Sequence, residues 1–149
     1  MCAEGERTIY VDAKNHVLGR LSSHVAKLLL EGWRVIIVNA EKTVITGKKR
    51  SVKGDWQIFL GVRSRVHPRH TPRHYVRPDR VLKDVIKGML PRKKPRGRDA
   101  LHRLRVYIGV PDDYKSVRYE KFEDAMLRPG TRKHILLEDI CREFGWGGS

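Results

Sequence analysis

Arginine and lysine are the side chains whose number and spacing in this sequence point to chemistry, and that chemistry is the capture of phosphate. Three clusters stand out: Lys48, Lys49 and Arg50; Arg63, Arg65, Arg69, Arg73, Arg77 and Arg80; and Arg92, Lys93, Lys94, Arg96 and Arg98. Guanidinium forks match phosphate oxygens two at a time, and ammonium groups add point charge. From Lys48 to Arg105 there are 19 Lys or Arg against 4 acids, Asp55, Asp79, Asp84 and Asp99. That surplus equals the net charge of +15 of the whole 149-residue chain, so the flanks are balanced. A solvated surface loop is the ordinary fate of a charge run, but so lopsided a segment repels itself and calls for a polyanionic partner. Nucleic acid is the first candidate and an anionic membrane the second. A membrane-surface helix would set its cations opposite a Trp, Phe or Leu face. Here the densest charge lies among Pro68, Pro72 and Pro78, where no long helix forms. His70, His74 and Tyr75 add rings suited to stacking on unpaired bases, and Gly97 allows close backbone approach.

Other chemistries are poorly supported. His67, His70 and His74 have the spacing of a metal site, but Pro68 and Pro72 prevent the helix that would converge them, and no Cys, Asp or Glu joins them nearby. Beside phosphates, these rings can instead take up protons and bind as cations. Gly47-Lys48-Lys49 lacks the earlier glycine and the final Ser or Thr of a P-loop. The turn from Asp12 to Gly19 holds one glycine, not the three of a dinucleotide-binding turn. Ser22-Ser23-His24 is no triad, because adjacent helical residues do not face one another. Asp12 and His16 read as a polar turn rather than an acid–base pair. No catalytic group, metal, cofactor or small-molecule substrate is therefore expected. Cys2 and Cys141 have no partner at metal or redox spacing and read as free thiols of a reducing compartment. Met1 to Glu6 carries no apolar run of a secretory signal, and no stretch approaches the ~20 apolar residues of a membrane span, so an intracellular, soluble protein is expected.

The elements that must hold these cations follow from periodicity. Thr8 to Val11 reads as a strand ending in the turn Asp12-Ala13-Lys14-Asn15. Leu18, Leu21, Val25, Leu28 and Leu29 fall on one helical stripe, with Gly32 where a C-terminal glycine cap belongs. Arg34 to Asn39 contains Val-Ile-Ile-Val, the continuous run of a strand buried on both faces. Strand, helix and strand make a βαβ unit with a right-handed crossover. Thr43 to Thr46 could be a short strand or a helical turn. Val52, Trp56, Phe59 and Leu60 have helical spacing, and the prolines of 63–80 predict an extended, polyproline-like arm. Pro78 suits the first turn of a helix with Val81, Leu82, Val85, Ile86 and Met89 buried, ended by Pro91. Arg92 to Arg98 reads as a basic loop, 99–104 as a short helix, 105–110 as a strand, and Leu137, Ile140, Cys141 and Phe144 as a final helix closed by Gly145. The expected fold is α/β: one domain over 1–149, with a small, mostly parallel sheet of about four strands flanked by helices. The basic insert 48–105 projects from it as arm and loop. Helix 79–90 with helix 99–104 also admits a helix-turn-helix DNA reader, so a DNA-binding regulator is the alternative function, although the charge lies in the loop and not on the second helix.

Several segments, in order along most of the chain, resemble the ribosomal protein L13 (uL13) family. They are Val11-Asp12-Ala13-Lys14-Asn15-His16-Val17-Leu18-Gly19-Arg20-Leu21, Val38-Asn39-Ala40-Glu41-Lys42, Ile45-Thr46-Gly47-Lys48, Arg77-Pro78-Asp79-Arg80, Gly88-Met89-Leu90-Pro91 with its basic sequel to Arg98, and Leu104-Arg105-Val106-Tyr107. The ending, Leu127-Arg128-Pro129-Gly130-Thr131-Arg132 and Glu143-Phe144-Gly145-Trp146, looks like the archaeal form. The resemblance implies a three-layer α/β fold and a non-catalytic, structural place in the large ribosomal subunit, in the cytoplasm. Its implied partners are large-subunit rRNA and neighbouring large-subunit ribosomal proteins, with a part in subunit assembly. It also implies that Arg92, Lys93, Lys94, Arg96 and Arg98 bind rRNA. The chain departs from many relatives at His67-Pro68-Arg69-His70-Thr71-Pro72.

Overall fold

The computed structural model describes residues 7–148. Cys2 and the Met1 to Glu6 segment lie outside them. Three parallel strands form the main sheet in the order β1 (Thr8–Asp12), β2 (Arg34–Val38), β4 (Leu104–Val106). Tyr10 pairs with Ile36, and Ile36 with Arg105. β2 takes the central place because its side chains from Val35 to Val38 are all buried, as expected of a strand covered on both faces. β1 alternates, with Ile9 and Val11 turned to the core, and its outer edge is closed by Glu120, whose N–H donates to Tyr10 O at 2.8 Å.

Helix α1 (Leu18–Leu30) buries Leu21, Val25, Ala26 and Leu29, close to the stripe read from sequence. Gly32 at φ +96° ends it: its N–H donates to Leu29 O and that of Trp33 to Leu28 O, the paired bonds of a Schellman cap. Helix α3 (Pro78–Met89), with Pro78 in its first turn, packs against α1 through Leu82 and Ile86. Met89, expected in the core, is 43% exposed, because the buried face of α3 is completed by Leu90 after the helix has ended. The opposite face of the sheet is covered by the segment after β4, where the ring of Tyr114 packs against Tyr10 and Tyr107.

This is the α/β domain with a small, mostly parallel sheet that the sequence implies. Its fourth strand, however, belongs to a separate ribbon: β3 (Val44–Thr46) pairs antiparallel with β5 (His134–Leu136). The ambiguous Thr43 to Thr46 is thereby a strand. β4 stops at Val106, short of the expected 110; Gly109 at φ +65° turns the chain away. β5 runs directly into α5 (Leu137–Glu143), whose first N–H is held by Thr43 O at 2.8 Å, so no side-chain cap is needed.

Helix α2 (Lys49–Gly61) forms where the spacing of Val52, Trp56, Phe59 and Leu60 predicts a helix, and begins one residue after Lys48. Two expectations about the basic insert are corrected. Helix α4 (Pro95–His102) begins at Pro95, not at residue 99. Arg96, Gly97 and Arg98 are therefore helical, because Pro95 supplies the fixed φ that a first helical turn accepts. The segment 62–77 is a folded loop, not an extended arm. It contains a 3₁₀ turn at Pro68–His70, Ser64 N–H donates to Thr71 Oγ1, His67 N–H donates to Ser64 Oγ, and the His74 ring nitrogen Nε2 donates to Val62 O at 2.8 Å. Proline excludes a regular helix here, and short polar side chains then satisfy the backbone locally.

Candidate nucleic-acid interface

The interface begins with two helix starts. Lys48, Lys49 and Arg50 surround the N-terminal turn of α2, and Arg92, Lys93, Lys94, Arg96 and Arg98 surround that of α4. Neither helix carries an acidic residue in its first turn or a side-chain cap. Cations oppose the positive end of a helix dipole, and a stable helix ordinarily places Asp or Glu there. At the start of α2 clustered cations stand beside unfilled N–H groups, an arrangement suited to an outside anion such as phosphate; at α4 the cations alone attract it, because Pro95 has no N–H and the Gly97 N–H is held by Lys94 O at 3.1 Å.

All fourteen cations expected from sequence are exposed: Lys48, Lys49, Arg50, Arg63, Arg65, Arg69, Arg73, Arg77, Arg80, Arg92, Lys93, Lys94, Arg96 and Arg98. Among the described residues only Arg77 of this set stands in an ion pair, with its Nε 3.1 Å from Asp79 Oδ1. Arg96 and Arg98 reach only backbone carbonyls, Leu30 O and Lys93 O, each at 3.4 Å. The rest of the set is left to solvent or to a partner.

Some of these residues converge. Arg73 and Arg80 share a cleft of about 430 Å³ with Lys83, Lys87 and Tyr75, and with one acid, Asp84. Arg92 and Arg98 meet Lys87 at a second, smaller cleft. Lys83 and Lys87 were missed in the sequence reading, although the signal was present: with Arg80 they fall at i, i+3 and i+7 of one helix, hence on one face. Arg103, by contrast, is a structural cation; its Nη2 donates to Leu29 O at 2.7 Å at the C-terminal end of α1.

Gly97 does permit a close approach, but to protein and not to phosphate. A Cβ there would stand 2.2 Å from Pro91 O, and the glycine is buried. Its bare backbone lets α4 start against Pro91, which sets where Arg96 and Arg98 point.

The histidines sort by burial. His74 packs edge-to-face on Phe59, with centroids 4.7 Å apart, while His67 and His70 are exposed with their rings 5.3 Å apart. Among the described residues no group of three or more His, Cys, Asp or Glu is arranged to hold a metal ion. His16 is fully buried rather than part of a solvated turn. Its Nε2 accepts the N–H of Phe122 at 3.0 Å, and its Nδ1–H donates to Lys14 O at 3.1 Å. Burial holds its pKa below the ordinary 6.5, against the raising pull of Lys14 O and Asp12. Asp12 is spent on Lys14 N and Asn39 Nδ2, so the pair is a latch between β1, β2 and the chain at 122. Burial also pushes the Cys141 thiol up to about 12, with Asp79 adding to the shift. No helix among the described residues is long and apolar enough to cross a membrane.

A basic α/β domain with many exposed cations, of which only Arg77 of the expected set is ion-paired among the described residues, is the class that fold and surface define. The sequence model of the family described as ribosomal protein L13 matches residues 6–113. Large ribosomal subunit protein uL13 of Aeropyrum pernix is 44% identical over 99% of this chain and 97% of its own length. The protein of the same description from Archaeoglobus fulgidus is 43% identical over 97% of this chain and 92% of its own. That of Caenorhabditis elegans is 39% identical over 94% of this chain and 70% of its own. The chain belongs to the ribosomal protein L13 family.

Proposed function

We propose that this chain is a structural, non-catalytic constituent of the large ribosomal subunit, and that it grips rRNA phosphates with the cations of 48–105 and so supports subunit assembly. The observation that carries the reading is the set of exposed cations, of which only Arg77 is ion-paired among the described residues, on the fold of a family whose relatives are large-subunit proteins. Left unpaired, such a surface repels itself; rRNA supplies the counter-charge, and release of its counterions drives association. The cations at the starts of α2 and α4 fit single phosphates, and those of the 62–77 loop fit a run of them. Exposed Ile58, Val62 and Val66 suit neighbouring large-subunit proteins, since apolar groups gain from leaving water. We read 1–149 as one domain, because β3 pairs with β5 and α5 packs on the segment after β2. The setting is the ribosome, in the cytoplasm.

Sedimentation of cell extract through a high-salt wash tests the reading. The protein should remain with the large subunit at about one copy each, since burial in a particle resists a wash that strips simple surface electrostatic contacts. A protein that runs free, or leaves at modest salt, defeats the proposal and returns the DNA-binding regulator to first place.

A further inference from the structure

The cleft of Arg73, Tyr75, Arg80, Lys83 and Lys87 does not end at its cations. Arg73, Tyr75 and Asp84 also line an adjoining cleft of about 320 Å³, whose other walls are Trp56, Phe59, Val81 and Val85. One half is cationic and the other aromatic and apolar, and the two meet at a shared wall. Each half is within the ~300–1,000 Å³ range of small-ligand sites. None of Arg73, Arg80, Lys83 or Lys87 is in an ion pair among the described residues, although Asp84 lies beside them on α3. Phe59, propped by the His74 ring, is still 47% exposed at the mouth of the apolar half. Asp55 adds a carboxylate to that half and Asp84 one to the wall that both halves share; carboxylates accept hydrogen bonds and donate none.

We propose that this composite cleft receives one unpaired nucleotide of RNA, with its base against Trp56, Phe59 and Tyr75 and its phosphate on Arg73, Arg80, Lys83 and Lys87. The proposal rests on the RNA-binding reading above and adds a single-nucleotide subsite to it. A phosphate alone would leave the aromatic half in water, and an apolar peptide would leave four cations unanswered. A nucleotide satisfies both halves because it carries an apolar face and an anion on one unit. Asp55 and Asp84 offer acceptors only: the exocyclic amine of adenine can give them its two N–H bonds, whereas uracil has one donor, N3–H, set between two carbonyl oxygens that carboxylates repel, so adenine is favoured over uracil.

The test uses three RNA hairpins of the same stem: fully paired, with one bulged adenosine, and with one bulged uridine. The purified full-length protein should bind the adenosine bulge roughly ten-fold more tightly than the paired stem, in line with the worth of one base stacked on an aromatic ring. Phe59→Ala should erase that preference; because Phe59 is partly exposed, the variant should keep its circular dichroism spectrum. Arg98→Ala should weaken all three hairpins by one common factor and leave the preference standing. Equal affinity of the wild type for bulged and paired stems overturns the subsite while RNA binding itself stands. Equal affinity for the two bulges overturns the amine selection. Failure to bind any hairpin at low salt defeats the RNA-binding reading, and the subsite with it. A second measurement is ultraviolet crosslinking of intact large subunits with peptide-level mass spectrometry. Nucleotide adducts on Trp56, Phe59 or Tyr75 support the subsite, and adducts elsewhere on the chain with none on these three overturn it.

Discussion

Replacing Gly97 with alanine should destabilise the protein, although the same change in most helices would stabilise it. Gly97 lies in the first turn of α4, where alanine's intrinsic preference over glycine is worth about 1 kcal/mol. Against that gain, the new Cβ would stand 2.2 Å from Pro91 O and 2.6 Å from Pro91 C. The obstacle is backbone, and Lys94 N–H is bonded to the same carbonyl at 3.0 Å, so the turn cannot yield locally. Overpacking of this kind costs roughly 1–3 kcal/mol, and a rigid neighbour puts it in the upper half of that range. The net loss is about 1–2 kcal/mol, or a fall in Tm of roughly 2–8 °C for a chain of this size. Gly54→Ala in α2 is the matched control, since a Cβ there meets nothing within 4 Å. It should raise stability by about 0.5–1 kcal/mol. Urea denaturation of both variants beside the wild type gives the two signs directly. A Gly97→Ala protein as stable as the wild type would refute the claim that contact with Pro91 fixes the start of α4.

His16→Gln tests the buried latch through pH. The folded pKa of His16 lies below 6.5, so beneath that value the unfolded chain takes up a proton that the folded chain refuses. The latch's contribution is therefore complete above about pH 6.5 and is lost as pH falls through the lowered folded value. Glutamine cannot titrate, so the stability gap between wild type and variant should narrow between about pH 7.5 and pH 5 in urea titrations; a constant or widening gap would count against the latch. Cys141 is fully buried with its thiol pushed up to about 12, so iodoacetamide at about pH 8 should label its peptide in the native protein far more slowly than in the unfolded chain. Equal rates would place the thiol at the surface.

What periodicity could reveal was legible in the sequence. The stripe of α1 with its Gly32 cap, the doubly buried β2 and the α3 start at Pro78 are set by neighbours within a few residues. β5 was not legible because three residues carry no alternation to read, and its partner β3 lies some 90 positions away along the chain. The folding of 62–77 depends on side chains of Ser64, Thr71 and His74 bonding the backbone, while the prolines dominate the visible pattern. The fourteen candidate cations could be named from composition, and all are exposed, because the core has no means of satisfying so many unpaired charges. Lys83 and Lys87 required the helix register as well. His16 carried no local signal: its partner Phe122 is 106 residues away, and a histidine beside a turn ordinarily faces water. Gly97 was singled out for close approach, but sequence cannot say that the neighbour is Pro91.

The salt dependence of RNA affinity tests the central claim most directly. The wild type should be measured beside a variant in which Arg92, Lys94, Arg96 and Arg98 are all changed to Gln. A grip on about ten phosphates predicts a slope of log affinity against log salt near −7 to −9 for the wild type. Removing four phosphate-bound cations should make that slope shallower by about 3, with the fold intact by circular dichroism. An unchanged slope would contradict the account, because the cations at the start of α4 would then not hold RNA.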